Sequence, residues 1–330
     1  MKLQHVHPRL SILSLLVVLM VVGAAQAQEA PVSIPPPINP NAIAQLRWYE
    51  INKVAQVLVL PGIHSAGIAF DGANMWVTGY FENNVTKIRA SDDKVLGTFS
   101  VGLGPAGVAF DGVNIWVTNG SAGTVTKLKA SDGKGLGTFK VGNIPGGVAF
   151  DGEHIWVANG LDNTAMQLRV RDGKVLLTIP VGNGPGGVAI DGPNVWVANS
   201  SSNSVTKIRA TDGKVLGTYA VGGAAPGNLV FDGTNIWTAN IGDGSVSKLR
   251  ASDGASLGTF AAGGAQTSAI TFDGQNIWIG NSGTSPLNAS VVKLRTSDGT
   301  IVYKVPVAEG AVSAAFDGVN VWITGIMRKL

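Results

Sequence analysis

The chain has 330 residues, a formal charge of +3, 45 glycines and no cysteine. Lys2 and Arg9 fall in a segment expected to be removed, which leaves 22 basic residues against 21 acidic ones and excludes strong global attraction to nucleic acid or anionic lipid. The lack of thiols excludes a disulfide framework, and glycine at fixed spacing excludes collagen-like and low-complexity chains.

In chain order, the first element is an apolar run from Leu10 to Ala25, preceded by Lys2 and Arg9 and followed by Ala25-Gln26-Ala27. A charged start, an apolar centre and a small-residue cleavage site predict an export signal over 1–27, and hence a periplasmic or extracellular protein. The run of 16 residues is shorter than the ~20 a spanning helix needs, and no later segment reaches that length, so no transmembrane helix is expected in the mature chain. Residues 28–54 hold "PVSIPPPINP", read as an extended tether, and "NPNAIAQLRWYEIN". There Asn39 as cap and Pro40 at the first turn predict a short helix.

Residues 55–330 are a repeat. "FDGVNIWVTN" at 110–119 recurs with small changes, its Asp falling at Asp71, Asp111, Asp151, Asp191, Asp232, Asp273 and Asp317. The spacings of 40, 40, 40, 41, 41 and 44 residues, with strand-like words between turns, predict a β-propeller. Within 107–142 the words "GVAFDG", "NIWVTN", "TVTKLKA" and "GLGTFKVG" predict four antiparallel strands per blade. At the ends, "AQVLVLPG" (55–62) reads as an outer strand without its blade, and "SAAFDG", "VWITG" and "IMRKL" read as three strands without a fourth. Joined, they predict a seven-bladed all-β propeller, its ring closed by an N-terminal outer strand beside three C-terminal strands. Asp-Gly is expected to turn the chain between strands one and two, and the Trp of strand two to pack between blades.

The words "PGGVAFDG", "IWVAN", "VTKL" and "LGTF" resemble the YVTN-type propeller repeat and the related repeat of streptogramin (virginiamycin) B lyase-like proteins. The resemblance spans about 55–330. It implies the fold, and implies an exported bacterial protein. In the lyases it also implies ring opening of a cyclic depsipeptide by elimination, with histidine and a Mg²⁺-binding acidic residue at the central face.

The central face is formed by the loops from strand four to the next strand one and from strand two to three. His64 falls in the first kind of loop, and Glu82 and Glu309 in central-face loops. His64, Glu309 and Glu82 are therefore the candidate acid/base set, with Tyr80 beside them. A solvated loop histidine is the plainer reading of His64. Against the lyase pattern, a second histidine is absent. Asn119, Asn159, Asn199, Asn240 and Asn281 end strand two and read either as turn caps or as a ligand-binding rosette. Thirteen of the sixteen Asp lie in repeated turns, not in metal loops. Strand three repeats Lys-x-Arg or Lys-x-Lys (Lys87/Arg89, Lys127/Lys129, Lys207/Arg209, Lys248/Arg250, Lys293/Arg295), read as shielding stems or as a groove for an acidic polymer.

These residues lead to an exported, monomeric scaffold that binds a protein, glycan or small molecule on its central face. Such a scaffold needs no cofactor, and nucleic acid is not its expected partner. Two alternatives follow: a lyase-like enzyme using a divalent metal such as Mg²⁺, and an acidic-polymer binder.

Overall fold

The computed structural model describes residues 15–23, 53–61, 64–282, 289–307 and 310–326. Two strands come first, β1 (Leu15–Gly23) and β2 (Lys53–Pro61). Strands β3 to β26 then form six blades of four consecutive antiparallel strands each: β3–β6 over 65–100, β7–β10 over 105–140, β11–β14 over 145–180, β15–β18 over 185–220, β19–β22 over 226–261 and β23–β26 over 266–306. Finally come β27 (Gly310–Phe316) and β28 (Val321–Ile326). No helix among the described residues is long and apolar enough to cross a membrane.

The molecule is an all-β propeller with four antiparallel strands per blade, but the expected seven-bladed ring is corrected to six. The remaining four strands form a composite closing sheet in the order β2-β1-β28-β27, two strands from each end of the chain instead of one and three. The repeat explains the difference. In the first five blades strand three begins eight residues after the strand-two Trp, as with Trp116 and Thr124. Counted from Trp322, that place is position 330, so by offset "IMRKL" falls on the end of strand two and the positions after it, and of its residues only Ile326 is among those described, in β28. The third position is taken by β1, which pairs with β28 through Leu19↔Ile323, Met20↔Trp322 and Val21↔Val321. β1 lies within the run read as an export leader. Residues 1–14 and 24–52, which hold the rest of that leader, the tether and the short helix, lie outside the described residues.

Each repeated phrase builds the same device. Asp111 Oδ1 accepts the backbone N–H groups of Val113 and Asn114 at 2.9 and 2.6 Å, and its Oδ2 accepts the indole Nε1–H of Trp116 at 2.7 Å. The same bond to the indole recurs at 2.6–2.8 Å in every copy, from Asp71 to Asp317. The seven Trp residues of the repeated phrase are fully buried. Each is thus an apolar slab whose one polar atom is paired. The expected packing between blades holds: Trp156 of the third blade clusters with Ile190, Val195, Val197 and Ile208 of the fourth. Trp322 does the same with Ile68, Met75, Val77 and Ile88 of the first.

Near the axis the blades touch backbone to backbone. A Cβ on Gly147 would lie 2.5 Å from the carbonyl oxygen of Gly186, so glycine is required there. Thr118 Oγ1 ties the same region across blades, donating to the Gly146 carbonyl at 2.6 Å while accepting the N–H of Gly107.

One turn breaks the pattern. Between strands three and four, five blades place a glycine at positive φ, for instance Gly133 at +75° and Gly213 at +71°; the first blade has Asp93 at +59°. Its Oδ1 is buried without a partner among the described residues. Burial, then the charges of Asp92 and Asp317, push its carboxyl above the ordinary 3.8. A raised acid pKa means the folded state holds the proton more tightly than the unfolded chain. Stability from this site is therefore present at low pH and is lost as pH rises from the ordinary value through the raised one. Asp93→Gly removes both the left-handed strain and the buried charge, and should stabilise the protein at pH 7 by about 1 kcal/mol. The gain in thermal midpoint should be larger at pH 7 than at pH 4; an equal gain at both would assign the effect to backbone strain alone.

Candidate functional site

The loops of the central face are tied to one another within each blade. Gly120 N–H donates to the Gly104 carbonyl, Gly160 to Ile144, Ser200 to Gly184 and Ile241 to Ala225. Between blades, an Asn of one two-to-three loop accepts from the next four-to-one loop: Gly104 N–H to Asn83 Oδ1 at 2.8 Å, Gly184 to Asn163 at 2.9 Å and Ala225 to Asn203 at 2.7 Å.

The first blade departs from this scheme at the residues the sequence singles out. His64 holds the place of Gly104, and its carbonyl accepts Tyr80 N–H at 2.8 Å as in the other blades. Its own N–H donates not to a neighbouring Asn but to Glu82 Oε2, at 3.1 Å. The other carboxylate oxygen, Oε1, lies 2.6 Å from His64 Nδ1. Glu82 therefore grips both backbone and ring. When the ring is neutral with Nδ1–H donating to the carboxylate, Nε2 is left as an acceptor, and it has no partner among the described residues. Gly79 makes room: the five other blades have Asn three residues after the strand-two Trp, and a Cβ here would lie 3.0 Å from Glu82 Oε2. Phe81 stands edge-on to the imidazole at 5.0 Å and to Tyr80 at 5.1 Å, and is 65% exposed.

The structure thus joins two of the three acid/base candidates, His64 and Glu82, and places Tyr80 within the same loop. Glu309 lies outside the described residues. The five Asn residues proposed as a rosette are each fully buried. Asn119 Oδ1 accepts Gly102 N–H, while its Nδ2 donates to Thr124 and Thr126, so the amide is committed within its own blade. Asn281 is engaged likewise, by Thr267 and the Ala262 carbonyl.

The lysine band is also taken inward. Lys87, Lys127, Lys207 and Lys248 are buried, with each ammonium donating to a carbonyl of the next blade. Each lies 5.0–5.2 Å from the centre of its Trp ring. Gln167 Nε2 makes the equivalent bond to Ala210. The following basic residues pair with an Asp three positions on, as Arg169 does with Asp172 at 2.6 Å. That Arg169 contact holds the Asp172 carboxyl well below the usual range. Of the two readings of this band, shielding stems and a groove for an acidic polymer, these contacts follow the first: the lysines clamp blade to blade and the surface charges are paired.

Sequence reasoning missed an apolar set on the central face. Leu103, Ile144, Leu161 and Ile241 are exposed in the same loops as Phe81, Leu161 by 67%. Ile144 has φ +49°, where the matching residues are Gly104 and Gly184 at +63° and +64°. A β-branched side chain in that region is an outlier held at a cost. Its signal was an Ile where other blades have Gly104, Gly184 and Ala225. Asp162 is a further central-face carboxylate, held low by hydrogen bonds from the Asn143 side chain and backbone.

Fold and loops together define a β-propeller with a built central face. Its likeness to streptogramin and virginiamycin B lyase propellers is seen in solved structures. Streptogramin B lyase superposes with a TM-score of 0.65 at 18% identity, over 82% of this chain and 96% of that one. Selenomethionine-substituted virginiamycin B lyase from Staphylococcus aureus gives 0.63 at 16%, over 80% and 95%. Hydrazine synthase from Kuenenia stuttgartiensis gives 0.68 at 18%, over 81% and 96%. These likenesses show the fold alone. No family model matches the chain, the YVTN repeat included, and no curated protein matches it.

Proposed function

We propose that the protein is an exported binding propeller whose central face takes a ligand with an apolar surface and one polar anchor point. The observation that carries this reading is the exposure of Phe81, Leu103, Ile144 and Leu161 in the loops of the central face, with Phe81 edge-on to the His64 ring. Exposed apolar side chains grouped on one face mark an interaction site more often than an ordinary surface does. Ile144 supports it further, since its conformation is strained and its side chain faces solvent. Glu82 fixes the His64 ring so that Nε2 can accept a hydrogen bond from the ligand.

Titration with a type B streptogramin, a cyclic depsipeptide of suitable apolar and polar make-up, tests the reading by calorimetry. Phe81→Ala should weaken binding roughly tenfold, about 1.4 kcal/mol for a central aromatic contact. Binding unchanged in Phe81→Ala and in Leu161→Ala would place the ligand elsewhere.

The His64–Glu82 pair favours a second reading, a lyase-like enzyme. An imidazole oriented by a carboxylate can abstract a proton. The described residues do not fit the divalent ion that such a lyase would use: no three acidic or histidine side chains come together, and both Glu82 oxygens are engaged by His64. No step is derived through a metal. Incubation of the same depsipeptide with the protein, with and without Mg²⁺, separates the readings. A chromatographic shift to a linear product of unchanged mass, lost in His64→Ala, supports the enzyme; an intact macrocycle in both leaves binding as the function.

A further inference from the structure

The closing sheet differs from every blade in three ways. Its third strand, β1, is followed by 29 residues before β2, whereas in all six blades five residues separate strand three from strand four, as between Lys129 and Gly135. Each blade carries a register shift between those two strands, for example between Gln167 and Leu168; β1 and β2 pair without one over nine residues. The basic residue that ends strand three pairs with an Asp three positions on in all six blades, Arg89–Asp92 and Arg295–Asp298 among them. β1 has no charged residue.

The sequence over 42–52 matches the blades in two of these respects, the connection length and the basic–acidic pair. "AIAQLR" matches "TAMQLR", the third strand of the third blade (Thr164–Arg169), with Gln45, Leu46 and Arg47 in the places of Gln167, Leu168 and Arg169. Five residues separate Arg47 from Lys53, the first residue of β2. Glu50 stands three positions after Arg47, where the blades have Asp. Gln167 pairs with Trp156 in register and donates to the Ala210 carbonyl of the next blade. In the closing sheet the Trp is Trp322 and the carbonyl matching Ala210 is that of Ala90; the sequence match aligns Gln45 with Gln167.

We propose that 42–47 takes the third place in the closing sheet, against the β28 edge, whenever Leu15–Gly23 is withdrawn by cleavage or by insertion into a membrane. The two segments compete for one edge and cannot share it. The register places Ala44 opposite Ile323, as Met166 is opposite Val157. Leu19 is opposite Ile323 in the present pairing. Exported protein would then keep a complete closing sheet after losing its leader. The proposal does not depend on the central-face reading, and it is separable from the expectation that cells remove the leader.

A chain without native cysteine makes the test direct. Three double variants are compared: Ala44→Cys with Ile323→Cys, Leu19→Cys with Ile323→Cys, and Met166→Cys with Val157→Cys as a control in an intact blade. Cross-strand neighbours lie within disulfide reach. Mass spectrometry of the secreted protein reports whether 1–27 is removed. If the cell retains it, a protease site inserted after Ala27 removes it from the folded full chain, so both routes reach the same comparison. Expected is a 44–323 disulfide in the leader-free protein, formed to the same extent as the control, and a 19–323 disulfide in the chain that keeps its leader. A leader-free protein in which position 44 stays reduced while the control forms, or in which the cut leader stays paired at 323, overturns the proposal. Retention of the leader in secreted protein counts against cellular processing and leaves the exchange to be decided by the inserted site.

Discussion

Trp116→Ala is expected to lower the stability of the folded protein by about 3–5 kcal/mol, read as a fall in the denaturant midpoint. The side chain is fully buried, and it packs with Phe139 at 5.8 Å and under the Lys127 ammonium at 5.1 Å. It also belongs to the cluster of Val125, Ile155, Val157 and Leu168 that joins the second blade to the third. Truncation opens a cavity at that joint and leaves Asp111 Oδ2 without its indole donor. A loss near 1 kcal/mol would mean that the blades close over the gap and that these slabs are not what couples one blade to the next.

The second large effect falls on the partner. Asp111→Ala removes the acceptor for the Trp116 indole and for the N–H groups of Val113 and Asn114, and should cost about 2–4 kcal/mol. Asp111→Asn keeps one carbonyl oxygen and should cost less. Combining Asp111→Ala with Trp116→Ala should cost less than the two single losses together, by about 1–2 kcal/mol, because the indole donor that one change strands is deleted by the other. Strict additivity in this double-mutant cycle would show that the 2.7 Å bond contributes nothing of its own.

Much of this architecture is legible in the residues. Fixed Asp spacing and bounded β-rich words suffice for a propeller of four-stranded blades, because each blade is a local meander whose turns are written in Asp, Gly and Asn. The bond from Asp to Trp five positions later was not legible. It depends on strand two leaving the turn with its indole edge facing back, which spacing alone does not reveal. The closing sheet was misread because "IMRKL" has the composition of a strand but the wrong offset from Trp322. Propensity was allowed to outweigh register. At the central face, rarity pointed to His64 and Glu82, and the two do meet. Of the two readings of the Asn at the end of strand two, caps or rosette, burial favours the first: Asn119, Asn159 and Asn281 bond backbone, and Asn199 and Asn240 bond neighbouring hydroxyls. Asp93 was visible as a departure from a glycine column, and Ile144 as a bulky residue where Gly or Ala stands in the neighbouring copies. Their importance emerges once the backbone shows positive φ at each place.

The closing sheet carries a consequence for how the protein is made. Every blade can pair as soon as its own hairpins are synthesised, yet β28 must find a strand from the other end of the chain, as Ile323 finds Leu19 here, so the final step waits until β28 has been made. Until then the six blades form an open arc with two apolar flanks, Met75, Val77 and Ile88 at one end and Trp278 and Val291 at the other. An intermediate with such flanks is prone to stick to its copies. For this fold, biogenesis is therefore most hazardous in the interval just before the arc becomes a ring.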